Sequence, residues 1–153
     1  MAFYQFQKEQ FIKASIDEIW DFISSPQNLR KITPKNMGFD IRTPDLPEKI
    51  YEGMIISYRV RPLWGISTNW VTEITHIRDK SYFVDEQRVG PYKLWHHQHM
   101  IMAEKNGVLM KDIVSYQPPF GLLGNVANSL LIKNKLNEIF DFRTQELEKI
   151  FPS

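Results

Sequence analysis

Hydrophobic and polar positions change period several times along this chain, and each change predicts an element. From Phe3 to Ile12, Phe3, Gln5 and Gln7 alternate with Tyr4, Phe6 and Lys8, the two-residue period of a strand with at least one buried face. At Ser15-Ile16-Asp17-Glu18 the spacing becomes that of a capping box, and Ile16, Ile19, Trp20 and Ile23 follow at helical intervals. Ser25-Pro26 restarts the helical signal, with Leu29 and Ile32 on a short second helix that Thr33-Pro34 closes. Six strand-like segments come next, at about 37–43, 54–61, 66–78, 81–89, 92–104 and 108–116, each bounded by turn formers. They read as a mostly antiparallel meander. After Pro118-Pro119 the period is helical from about 122 to 151, long enough that the helix must lie across the sheet.

The turns between strands decide which residues share a face. Asn106-Gly107 has the preferred composition of a two-residue hairpin turn, and it predicts His97 opposite Tyr116, His99 opposite Val114 and Ile101 opposite Asp112. A two-residue turn at Asp79-Lys80 pairs Ile74 with Asp85 and Thr72 with Gln87. At Gly90-Pro91 a three-residue loop puts Asp85 opposite His97 and Phe83 opposite His99, whereas a two-residue loop reverses the face. The longer loop is preferred because it gathers Trp70, Ile74, Phe83, Trp95, Ile101, Val114 and Tyr116 on one side. Thr72, Asp85, Gln87, His97, His99 and Asp112 share that inner side. The outer side then carries Glu73, Thr75, Glu86, Arg88, His96, Gln98 and Lys111, with Val71, Ile77, Val84, Met100 and Ile113 scattered among them.

Composition narrows the function classes. The 153 residues suit one domain, spanning 1–153, that can bury roughly 70% of its unfolded surface. A net charge of +1 without like-charge blocks offers no nucleic-acid or polybasic membrane-binding signature. Cysteine is absent, so neither disulfides nor thiol chemistry arise. The first residues, MAFYQFQKEQ, lack the charged and apolar regions of a secretory leader, and no apolar run approaches the roughly 20 residues of a membrane span. The expectation is a soluble, cytoplasmic protein. Aromatic residues at 13% supply large flat walls for a core or a cavity.

The candidate chemistry lies on Trp95-His96-His97-Gln98-His99-Met100-Ile101. Strand alternation places Trp95, His97, His99 and Ile101 on one side, a greasy and protonatable face of the composition that small-molecule pockets use. Burying its polar members costs about 1 to 3 kcal/mol for each one left unpaired, so they must satisfy one another, water or a ligand. His97-x-His99 also sets two imidazoles roughly 6.5 to 7 Å apart at the backbone, but a metal would need a third ligand from His76, Asp85 or Asp112. No metal or cofactor is expected. Ser57, Ser67, Ser115 and Ser129 sit in no nucleophile motif, and the glycines form neither a dinucleotide fingerprint nor a phosphate loop. Acid-base chemistry by His97, His99 or Asp85 stays open. On the terminal helix Leu136, Ile139, Phe140, Leu147, Ile150 and Phe151 form one stripe with Arg143 in its middle. That arginine snorkels outward, pairs with Asp85 or Asp112, or awaits an acidic ligand.

One strand, two short helices, a six-strand meander and a long helix resemble the helix-grip fold of the SRPBCC superfamily, which includes START-like, Bet v 1-like and polyketide cyclase proteins. Phe83-Val84-Asp85-Glu86-Gln87, Gly90-Pro91-Tyr92, Trp95-x-His97-x-His99, Asp112-x-Val114-x-Tyr116, Pro119-Phe120-Gly121-Leu122-Leu123-Gly124 and Ile139-Phe140-x-Phe142-Arg143 resemble a bacterial subgroup described as ligand-binding or cell-division-inhibitor-like. The similarity spans essentially the whole chain. It implies an α+β domain whose curved antiparallel sheet grips the long helix around a cavity. Trp70, Phe83, Trp95, Tyr116 and Phe120 are then expected as apolar walls, with Leu136 and Phe140 from the helix and Leu122-Leu123 as a gate. Asp85, Gln87, His97, His99, Asp112 and Arg143 are expected to orient a ligand. The resulting expectation is a non-enzymatic carrier or sensor of a hydrophobic, aromatic or lipid-like small molecule. Two other readings stand beside it: a cyclase- or aromatase-like enzyme using His97, His99 or Asp85 for proton transfer, and a protein-interaction module.

Overall fold

The computed structural model describes residues 3–61, 65–119, 126 and 131–152. Its elements follow the predicted order: β1 (Tyr4–Ile12), α1 (Ile16–Ile23), 3-10 turns at Pro26–Arg30 and Lys35–Met37, β2 (Asp40–Ile41), β3 (Ile55–Val60), β4 (Thr68–Arg78), β5 (Tyr82–Val89), β6 (Leu94–Glu104), β7 (Gly107–Gln117) and α2 (Lys133–Ile150). The seven strands make one antiparallel sheet in the order β1-β7-β6-β5-β4-β3-β2. The first strand therefore pairs with the last, and the curved sheet presents its inner face to α2. Leu136, Phe140 and Leu147 of α2 are buried there, and Phe140 lies 4.9 Å from Phe6 of β1 between ring centres.

Local chemistry explains most boundaries. Ser15 Oγ accepts from the Glu18 amide while the Ser15 amide donates to Glu18 Oε2, closing the predicted capping box at the start of α1. The second helix is a 3-10 turn instead of an α-helix. Ser25 makes no side-chain cap, Asn28 donates its side-chain amide back to the Phe22 carbonyl, and Pro34 stops propagation within two turns. The strand expected at 37–43 shortens to Asp40–Ile41 because Gly38 takes a left-handed backbone, φ 55°, to end the preceding turn. The helix expected from about 122 is described from Lys133.

Two strand registers depart from expectation for physical reasons. At the β6–β7 hairpin Glu104 faces Gly107, so Lys105 and Asn106 form the turn, with Asn106 at φ 70°. Gly107 belongs to β7, where a Cβ would collide with the Ile12 carbonyl oxygen and the Phe11 ring. Every β6–β7 pair is thus displaced by two residues: His97 faces Val114, His99 faces Asp112 and Ile101 faces Met110. A two-residue displacement preserves the face. The β4–β5 turn uses three residues rather than two, and an irregularity between Ile74 and His76 restores the predicted pairing of Ile74 with Asp85 and Thr72 with Gln87. That irregularity turns Ile77 inward, opposite Phe83 and against the core, contrary to its expected outer placement. The β5–β6 register is the expected one, with Asp85 facing His97 and Phe83 facing His99.

Candidate ligand-binding site

Three neighbouring strands and the long helix converge on one cluster. β6 supplies His97 and His99, β5 sets Asp85 opposite His97, β7 sets Asp112 opposite His99, and α2 lays Arg143 over Asp112. The two imidazoles touch with their planes tilted by 34°, 3.7 Å between ring centres, and Phe83 stacks on His99 at 4.1 Å. Asp112 Oδ1 accepts from His97 Nε2 at 2.7 Å and from Arg143 Nη1 at 3.1 Å, with His99 Nδ1 at 3.2 Å. Asp85 Oδ2 accepts from His99 Nε2 at 2.6 Å and stands 3.7 Å from His97 Nδ1. His99 thus bridges the two carboxylates, and His97 bonds Asp112 alone.

A carboxylate only accepts, so this geometry assigns the protons. Both nitrogens of His99 face carboxylate oxygens within hydrogen-bond reach, which favours its imidazolium form. His97 has one such contact, through Nε2, and keeps a free lone pair on Nδ1. The formal charges of Asp85, Asp112, His99 and Arg143 then cancel. Burial lowers the pKa of His97, repulsion from His99 adds to it, and the attraction of Asp112 and Asp85 does not compensate, so His97 falls to about 4. Burial also opposes charge on His99, but its hydrogen bonds to Asp112 and Asp85 outweigh that and raise it. Burial would raise both aspartates. The hydrogen bond from His99 and the charges of His99 and Arg143 hold Asp85 down, and Arg143 with the hydrogen bonds of the two histidines holds Asp112 well below the usual carboxylate range.

The cluster borders a cavity of about 170 Å³ between the inner sheet face, α2 and the 3-10 turns. Trp70, Tyr92 and Trp95 form a contiguous aromatic wall, with ring centres 4.9 to 5.7 Å apart. Tyr58 stacks beside Trp70 and donates to Thr72 Oγ1 at 3.2 Å; burial and the nearby charge of Asp85 push its phenol upward.

Comparison with solved structures finds the same architecture in distant proteins. The ginseng major latex-like protein 151 from Panax ginseng superposes with a TM-score of 0.71 at 14% identity, over 99% of both chains. TTHA0849 from Thermus thermophilus gives 0.67 at 14% identity over 95% of each, and Ara h 8.0201 gives 0.60 at 13% identity over 97% of this chain and 99% of the other. The chain has the helix-grip fold of these proteins. No known family profile matches the sequence, and no curated protein matches it.

Within the helix grip, Trp70, Phe83, Asp85, Trp95, His97, His99, Phe140 and Arg143 line the cavity, as does Leu136. Three expected site residues do not. Gln87 is spent on the backbone of the β5–β6 connection, its amide donating to the Tyr92 carbonyl at 2.7 Å and accepting from the Tyr92 amide at 3.2 Å. Asp112 sits behind the histidines, and Tyr116 packs 5.7 Å from Tyr4, beyond the Trp95 wall. Phe120 and Leu122-Leu123 lie outside the described residues. Of the three roles open to Arg143, the structure selects pairing with Asp112. Its Nε and the indole nitrogen of Trp70 have no hydrogen-bond partner among the described residues.

Tyr58 and Tyr92 were absent from the expected lining, yet they border the cavity together with Pro26, Asn28, Leu29 and Met37 of the 3-10 turns. The alternation of Ile56, Tyr58 and Val60 carried the signal for Tyr58, since all three are buried. Of the apolar residues expected on the outer face, Val84 is buried and Val71, Met100 and Ile113 are half-buried by their neighbours, so none forms an exposed patch. Among the described residues no helix is long and apolar enough to cross a membrane.

Proposed function

We propose that the protein binds a small hydrophobic molecule of one or two aromatic rings between the sheet and α2, as a carrier or sensor. The observation that carries this reading is the cavity of about 170 Å³ with an aromatic wall on one side and a charge-balanced His-Asp cluster on the other. An apolar cavity of about 150 Å³ admits a benzene, which sets the scale of the ligand. The cluster supplies one acceptor, His97 Nδ1, for a hydroxyl or amide group of the bound molecule. The recurrence of the helix grip across the comparison structures supports ligand binding at the level of fold alone.

The test is titration of the protein with one- and two-ring phenols and aryl amides, read by tryptophan fluorescence and thermal shift. Saturable 1:1 quenching and a raised melting temperature are expected, and Ile56→Phe, which fills the cavity from β3, should remove both. Absence of binding, together with a marked stabilisation by Ile56→Phe, would show that the space is a packing defect.

One observation favours an enzymatic second reading. His97 and His99 touch, yet their surroundings push their pKa values in opposite directions, the separation that acid-base pairs use. Proton transfer on a poly-carbonyl substrate would then lose far more turnover than stability with His97→Gln. Equal loss of stability and turnover would retain the carrier reading.

A further inference from the structure

We infer that Asp85, His97 and His99 form a binding site for a divalent transition-metal ion of the zinc class, opening into the cavity. The inference goes beyond the carrier reading and stands independently of it. Asp85 Oδ2, His97 Nδ1 and His99 Nε2 lie within 4.8 Å of one another, and all three residues line the cavity. They come from two paired strands, with Asp85 facing His97 and His99 two residues along, so the backbone fixes their separation. Two imidazoles and one carboxylate with open positions are an established ligand set for such ions.

The second observation is what stands behind these donors. A metal-bound imidazole needs its far nitrogen held as a donor by an acceptor, commonly a carboxylate. Here one carboxylate serves both rings: Asp112 Oδ1 is 2.7 Å from His97 Nε2 and 3.2 Å from His99 Nδ1. Arg143 holds that oxygen in turn, at 3.1 Å. The nitrogens left over, Nδ1 of His97 and Nε2 of His99, are the ones directed at Asp85.

The distances accommodate an ion. Ligand bonds of about 2.1 Å at tetrahedral angles place donor atoms roughly 3.4 Å apart. Asp85 Oδ2 is 2.6 Å from His99 Nε2 and 3.7 Å from His97 Nδ1, so the required separation falls between the two. Entry of the ion replaces one hydrogen bond: the proton on His99 Nε2 leaves to solvent, and its lone pair and Asp85 Oδ2 bind the metal. His99 Nδ1 keeps its proton toward Asp112. The two aspartates then offset the dication while Arg143 keeps its charge, so the cluster gains one net positive charge, and the remaining coordination positions face the cavity, available to water or to an oxygen of a bound molecule, an anionic one included.

The test uses the untagged full chain, freed of metal by chelator and titrated with cobalt(II), whose visible bands report four-coordinate binding, followed by zinc(II) competition and native mass spectrometry. One ion per chain is expected. Asp85→Asn and His99→Gln should abolish the bands, whereas the surface double variant His76→Gln/His96→Gln should retain them. Asp112→Asn, which leaves all three ligands in place, should weaken affinity about 10- to 100-fold. Near-UV circular dichroism of each metal-free variant reports folding. Should Asp112→Asn or either ligand variant fail to fold, X-ray absorption of the zinc-loaded wild type decides, with two imidazoles in the shell expected. No cobalt bands in the wild type, retention of full affinity by Asp85→Asn and His99→Gln, or a zinc shell without imidazole would overturn the inference.

Discussion

The two faces of strands β5, β6 and β7 carry almost the same residue types and put them to opposite uses. On the outer face Arg88 bridges Glu73 and Glu86, His96 stands 4.0 Å from Glu86, and Lys111 meets Glu9 at 2.8 Å. One residue along each strand, the inner face holds Asp85, His97, His99 and Asp112 with Arg143 above them. Outside, water can replace any partner. Inside, a lost donor leaves a carboxylate or imidazole with nothing to bond, so the cluster holds together as a unit or fails as one. Position relative to the sheet, rather than residue type, separates a solvated ion pair from a buried, mutually dependent cluster.

The comparison breaks most sharply at Arg143. Arg143→Leu leaves Asp112 facing the histidines without its fixed cation, and urea denaturation should show a loss of about 3 to 5 kcal/mol. A loss below about 1 kcal/mol would place the inner pair in the same class as the outer ones. A smaller effect, with a distinctive sign, comes from pH. His97, with its folded pKa lowered from 6.5 to about 4, takes up a proton only on unfolding between those values, so stability falls as pH drops through that window. His99, raised above 6.5, stabilises the fold fully below that value and loses its contribution as pH rises through its folded pKa. Melting temperatures of the chelator-treated protein should therefore peak near pH 6.5, with His97→Gln flattening the acid side and His99→Gln the alkaline side. The smallest effect belongs outside: Arg88→Gln should cost no more than about 1 kcal/mol and respond to salt.

The sequence made the inner face legible because strand alternation is a local rule. Trp95, His97, His99 and Ile101 needed no distant information to be grouped, and the three-residue reading of Gly90-Pro91 joined Asp85 to them in the observed register. Hidden were the contacts made by residues remote in sequence. Gly107 looked like a turn residue, but its lack of a side chain lets Ile12 pass beside it, and that constraint moved Asp112 opposite His99. The irregularity at Thr75 turned Ile77 inward, where nothing local marked it. Gln87 was expected at the ligand, yet its amide closes the loop that carries Tyr92. Arg143 stood out on an apolar stripe, but only the completed sheet shows that its partner is Asp112 rather than Asp85.

The central claim is that two touching histidines, two residues apart on one strand, hold different protonation states because of their burial and the carboxylates around them. Imidazole nitrogen-15 shifts of His97 and His99 in the chelator-treated protein at pH 6.5 measure this directly. The account predicts a neutral His97 carrying its proton on Nε2 beside a His99 protonated on both nitrogens; two neutral rings, or a cationic His97, would contradict it.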